Sequence, residues 1–188
     1  MVVITLNINY IEQYKELYKI KPNYGKTSIK FLDTINTIIR QYGIESILDY
    51  GCGRSILLDE LSKKNKISVS KYDPAIEEYS LLPSANCDFI ICTDVLQHIP
   101  IHDLDNTMKE IRNYNCDCFF HVRSSEYKTK LPNGQNANCT VKNKEWWQAF
   151  LEKYYKNVII FSFDDDTVTF ITNDFKLKKV NEKCLKLI

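Results

Sequence analysis

The 188-residue sequence has no apolar run long enough to cross a bilayer, so a membrane-spanning segment is not expected. Its 25 Lys and Arg against 24 Asp and Glu leave a net charge of +1. It therefore lacks the basic excess that neutralises many phosphates, and a nucleic-acid partner is not expected. Seven cysteines form no double pair of metal-ligand motifs; Cys116 and Cys118 stand two apart with no second pair. Reduced thiols in a cytoplasmic protein are expected instead, and no metal site. Met1 to Leu6 carries neither the basic start nor the long apolar core of a signal peptide. No repeat or low-complexity linker divides the chain, and its length suits one domain.

Apolar residues at helical spacing predict helices over Ile8 to Ile20 and Ser28 to Tyr42, separated by Pro22-Asn23-Tyr24-Gly25 and closed by Gly43. Ser46 to Asp49 and Lys66 to Tyr72 read as strands, with a helix from Ser55 to Lys63 between them. The apolar run Cys87 to Cys92 reads as a strand buried on both faces. A helix from His102 to Tyr114 leads to a further strand, Cys116 to Val122. The polar stretch Ser124 to Asn143 precedes a helix over Lys144 to Tyr155. Val158 to Phe163 and Thr167 to Thr172 flank a short polar turn, as a hairpin does. The fold class is therefore α/β: a single Rossmann-like domain, mostly parallel, closed by a C-terminal antiparallel hairpin. Residues 1–43 are expected to form a helical N-terminal cap, 44–122 the core, expected to bind a cofactor, 123–143 a polar loop expected at a substrate, and 144–188 the helix and hairpin.

The segment Ile47-Leu48-Asp49-Tyr50-Gly51-Cys52-Gly53 reads as a buried strand, a tight glycine turn and a helix start. Backbone approaches a ligand closely at such a turn and aims free N–H groups at it. An acid at the strand end favours a ligand with a cationic part, and S-adenosylmethionine carries an ammonium and a sulfonium. The strand ends Asp49, Asp73, Asp94 and His121 share one rim of the sheet, where ligands of such sheets bind. A nicotinamide fingerprint needs a third glycine at position 56, which is Ile56.

That glycine motif, Tyr72-Asp73-Pro74, and the segment Asp88 to Pro100, which includes Thr93-Asp94-Val95-Leu96-Gln97-His98, resemble class I S-adenosylmethionine-dependent methyltransferases. Leu131 to Asn138 followed by Trp146-Trp147 is similar to a segment of their small stand-alone bacterial and phage members. The resemblance implies S-adenosyl-L-methionine as cofactor. It implies Asp49, Gly51, Cys52 and Gly53 around the donor's amino-acid part and Asp73 with Pro74 at its ribose. Thr93, Asp94 and Val95 would line the remainder. Tyr24 and Lys26, ahead of the first strand, are placed to cover the donor from above, Lys26 either meeting its carboxylate or standing solvated. Two departures stand out. Ser55 occupies a position where the family often has glycine. The 21 positions from Asp73 to Asp94 leave the third strand-helix unit missing or reduced to a few residues near Glu78 to Leu82. Adenine would then meet Pro83 to Asn86 or the Cys92-Thr93 rim.

Methyl transfer to a hydroxyl uses a base, and histidine suits neutral pH. His98 and His121 are the candidates, with Asp94 beside them; both equally fit packing roles. His98 and His102 are not expected to hold a metal, because Pro100 interrupts their helix. Arg123, Gln135, Asn136, Asn138 and one face of Trp146 are expected at the acceptor, the amides suiting a sugar or glycan precursor. The chain lacks the motifs of nucleic-acid amino and cytosine-carbon methyltransferases. The expected reaction is O- or N-methylation of a small molecule. The alternative is a catalytically inactive cofactor-binding partner or regulatory subunit.

Overall fold

The computed structural model describes residues 3–84 and 86–179. Six strands form one sheet in the order β2-β1-β3-β4-β6-β5. β1 (Ser46–Tyr50), β2 (Ser68–Tyr72), β3 (Phe89–Thr93) and β4 (Asp117–Arg123) run parallel. β6 (Thr167–Thr172) lies antiparallel to β4, and β5 (Val158–Phe163) antiparallel to β6. The helices are α1 (Val3–Ile20), α2 (Leu32–Tyr42), α3 (Leu57–Lys64), α4 (Leu104–Arg112) and α5 (Lys144–Leu151).

Alternation along the central strands divides the core in two. Ile47, Phe89, Ile91 and Phe119 face α2 and α3, whereas Leu48, Ile90, Cys92, Cys118 and Phe120 face α4 and α5. β3 is buried at every position, which is why its sequence is continuously apolar. On α2 the stripe Ile35, Ile38 and Ile39 is buried; each such side chain stabilises by about 1.5–3 kcal/mol.

Between β2 and β3 the described chain forms only a 3-10 turn, Glu77–Tyr79, so the third strand is missing rather than reduced and β2 is an edge. Element ends differ from the pattern where side chains compete with the helix. Thr27–Phe31 is a 3-10 turn rather than the first turn of α2, with the buried Ser28 hydroxyl donating to that of Ser55. Ser55 also accepts the Leu57 N–H at 3.0 Å, so α3 starts two residues late. α5 begins where Asn143 accepts the Trp146 N–H at 2.9 Å and ends at Leu151 rather than Tyr155.

The segment after β4 is helix-free, as its composition requires, yet it is knitted. Asn136 donates to Tyr127 O at 2.8 Å and accepts the Asn138 N–H at 2.9 Å, and Lys130 bridges to Asn136. The closing residues 180–188 of the expected last region lie outside the described residues. Among the described residues no helix is long and apolar enough to cross a membrane.

Candidate active site

A cleft of about 540 Å³ opens above the carboxyl ends of β1 to β4, beneath α1 and the turn that follows it. Its floor is the glycine turn after β1, where the Gly51 and Cys52 N–H groups donate to Tyr72 O at 2.7 and 3.0 Å. Gly51 has φ +77°, and a Cβ there would stand 2.3 Å from a Val95 methyl. Gly53 has φ +53°, and its Cβ would meet Gly25 O at 2.8 Å. Only glycine permits this closeness. The collision is thus with the chain's own Val95 and Gly25, and the N-terminal cap is stitched down here: Arg54 N–H donates to Gly25 O at 2.8 Å.

Asp73 ends β2 on the cleft. Its Oδ2 accepts the Gly53 N–H at 3.0 Å and the Tyr18 hydroxyl at 3.1 Å, and Oδ1 accepts the Ala75 N–H at 2.9 Å. Burial raises its carboxyl despite these donors. Asp94, past β3, adopts a left-handed backbone, φ 58°, which strains a residue with a Cβ. Its N–H donates to His121 O at 2.8 Å, and its carboxylate accepts the Thr27 hydroxyl at 2.7 Å.

The two histidines have determinable tautomers. His98 Nδ1 lies 2.9 Å from Ala137 O, a pure acceptor, so Nδ1 carries the proton. Its Nε2 then presents a lone pair, approached by the Tyr24 hydroxyl at 3.4 Å. Burial lowers its basicity below the usual 6.5. His121 Nε2 lies 3.0 Å from Lys30 Nζ, a pure donor, so its lone pair is occupied and its Nδ1–H donates to Thr169 Oγ1 at 2.9 Å. Burial pushes it down to about 4, with Asp94 opposing and Lys30 reinforcing.

Of the sequence-predicted residues, the glycine-turn residues Gly51, Cys52 and Gly53 line the cleft, as do Asp73 and Pro74. So do Thr93, Asp94, Val95 and His98, and on the far side Arg123 and Asn138. Others do not. Asp49 is 2% exposed and lies below the turn, its carboxyl pushed up to about 7 by burial. Lys26 is exposed, donates to Asn23 at 2.9 Å and does not line the cleft. His121 is buried behind the wall, both ring nitrogens engaged. Gln135 accepts from Asn133, and Asn136 binds Tyr127, so these amides brace the loop instead of facing a sugar. Trp146 stacks on Phe150, centroids 5.2 Å apart, away from the cleft. Pro83, Ser84 and Asn86 are also off the wall, and Ala85 lies outside the described residues.

Three tyrosines that sequence reasoning did not place at the site, Tyr10, Tyr14 and Tyr18, form much of the roof with the expected Tyr24. They recur every four residues on α1, and that spacing was the available signal. Lys30 and Tyr127 were missed as well, as was the patch where Tyr50 donates to Glu110 beside Tyr72. Among the described residues no group of three or more His, Cys, Asp or Glu is arranged to hold a metal ion.

Residues 16–153 match the model of a family described as a methyltransferase domain. The chain belongs to that family. No curated protein matches it. Among solved structures, the methyltransferase domain of a bacterial CtHen1 superposes with a TM-score of 0.57 at 16% identity, over 75% of this chain and 96% of that one. The DhpI–SAH complex gives 0.53 at 11%, over 86% and 95%. Human N-acetylserotonin methyltransferase in complex with SAM gives 0.52 at 9%, over 87% of this chain and 54% of that one. At such identities the likeness carries the fold, which is that of class I methyltransferases. The family's cofactor is S-adenosylmethionine, and the cleft suits it: its volume falls in the range of small-molecule sites, its floor is a glycine turn whose N–H groups are bonded to Tyr72 O and Asp73, and Asp73 and Asp94 line it with Asp49 just beneath.

Proposed function

We propose that this methyltransferase-family protein transfers a methyl group from S-adenosylmethionine to an oxygen or nitrogen of a small-molecule acceptor, with His98 as the base. The observation that carries this reading is the lone pair of His98 Nε2, approached by the Tyr24 hydroxyl at a long 3.4 Å, on the same cleft as the glycine turn. Gly51, Cys52 and Gly53 would hold the donor's amino-acid part, Asp73 its ribose hydroxyls, and Thr93, Asp94 and Val95 the space between. When bound, the donor supplies an electrophilic methyl group; the chain supplies position and a proton acceptor. His98 Nδ1–H donates to Ala137 O and fixes the ring, so Nε2 is the atom that takes the acceptor's proton. Tyr24 sits beside that atom and gives way to an acceptor hydroxyl, its own contact being long.

The test is calorimetric titration with S-adenosylmethionine and S-adenosylhomocysteine, then an acceptor screen reading S-adenosylhomocysteine release and a one-methyl mass gain. Binding with turnover upholds the reading. Binding with no turnover on any acceptor points to a non-catalytic partner, and absence of binding rejects both.

A further inference from the structure

We propose that Lys30 and Arg123 form an anion-binding subsite at the β4 end of the cleft, so that the methyl acceptor carries a carboxylate or phosphate group. This deepens the methyltransferase reading and rests on it for the identity of the acceptor end.

Lys30 is held in an unusual way. Its ammonium donates to a neutral imidazole, His121 Nε2 at 3.0 Å, and that ring is locked by Thr169 behind it. A carboxylate partner would cancel the charge; an imidazole lone pair orients it and leaves it intact. Two further N–H donors remain on the ammonium. Among the described residues no carboxylate comes within salt-bridge distance of Lys30 Nζ. Phe31 packs its ring 4.9 Å below, and Lys30 lines the cleft.

Arg123 follows His121 by two residues on β4, hence on the same face of the sheet and about 6.6 Å along the strand. Its guanidinium lies over the Tyr127 ring at 5.1 Å and reaches Asp166 at only 3.5 Å. The Asp166 side chain is 61% exposed, so that pair is weak and most of the guanidinium fork is free. Three acids oppose this end: Asp94, 3.7 Å from His121 Nε2 and already bound by the Thr27 hydroxyl, the exposed Asp166 beside Arg123, and Asp164 of the same turn, whose carboxylate accepts the Asp166 and Thr167 N–H groups. The other acids on the wall, Asp73, Asp103 and Glu110, belong to β2 and the α4 side. β4 lies three strand positions from β2, roughly 14 Å across the sheet. The cationic pair is therefore separated from the end assigned to the donor's ribose.

The experiment titrates benzoate, phenyl phosphate and neutral benzamide into protein saturated with S-adenosylhomocysteine. At least one anion should bind tenfold or more tightly than benzamide, and the tighter of the two names the acidic group. Lys30→Met and Arg123→Gln should each remove that advantage while changing S-adenosylhomocysteine affinity less than threefold; Arg123→Lys should restore part of it. Thermal melts report whether each variant folds; Lys30 is exposed and Arg123 part-exposed, so neither substitution empties a core position. Equal binding of the anions and benzamide overturns the proposal. So does a tenfold loss of S-adenosylhomocysteine affinity in Lys30→Met with anion binding intact, which would give the lysine to the donor's own carboxylate. Failure of the wild type to bind S-adenosylhomocysteine would instead remove the cofactor reading, and the same titration on the free protein still decides whether the anion site exists.

Discussion

Replacing Asp49 by Asn removes one buried charge while keeping the shape of the side chain. In the fold, burial carries the carboxyl from 3.8 up to about 7; Lys71 opposes this rise and Asp73 adds to it. The unfolded chain releases that proton near pH 4, whereas the folded chain keeps it until about pH 7. Between those values the folded state binds more protons, so stability must fall as pH rises. At about 1.36 kcal/mol per pH unit, the ionised carboxyl costs roughly 4 kcal/mol above pH 7, and about 3 kcal/mol of that cost appears between pH 5 and 8.5.

Urea unfolding of wild type and Asp49→Asn at those two pH values isolates this one group, because every other titration is common to both proteins. The variant should gain about 3 kcal/mol relative to wild type on going from pH 5 to 8.5, with an unchanged urea slope. A cation in the cleft favours the carboxylate, so saturating S-adenosylmethionine should narrow the gap at the higher pH. Parallel pH curves for the two proteins would refute the reasoning, since they would mean that Asp49 ionises as freely in the fold as outside it.

Three other perturbations follow from single observations. His98→Gln should lower kcat by 10²–10⁴-fold with cofactor affinity within threefold, and should abolish an acid limb that in the wild type lies below pH 6.5; pH-rate profiles read both. Gly51→Ala should cost about 1–2 kcal/mol for its left-handed backbone, and more for displacing Val95, with adding Val95→Ala recovering the second part in thermal melts. Asp117→Ala should cost about 3 kcal/mol or more by urea unfolding. That buried carboxylate accepts Thr172 Oγ1 and the N–H groups of Asp174, Phe175 and Leu177, tying the segment after β6 to the start of β4.

The strands and the glycine turn were legible because buried parallel strands leave continuous apolar runs and a tight turn leaves glycines. The short span from Asp73 to Asp94 likewise showed that a full third strand with its two helices does not fit, and left open whether the strand was missing or only reduced. Side-chain partners were not legible. Asn136 looks the same in sequence whether it faces a ligand or braces its own loop, and only the fold shows it bonded to Tyr127. Tyr14 and Tyr18 fall on the apolar stripe of α1 by their spacing; what sequence hides is that their hydroxyls reach Ala137 O and Asp73 across the cleft. Asp49 looked like a ligand contact because it ends a strand, but the pleat turns it toward the α2 and α3 side.

His98 and His121 pose the sharpest case, because sequence gives them equal standing as bases. Both protonate Nδ1 and both are neutral near pH 7, so protonation state does not distinguish them. The partner on Nε2 does. At His121 an ammonium donates at 3.0 Å, and accepting a proton there means displacing a cation and placing two positive charges in contact. At His98 a phenol stands at 3.4 Å, a weak donor that turns aside without leaving a charge uncompensated. The same ring in the same tautomer is therefore free to take a proton at one place and is confined to holding Lys30 at the other.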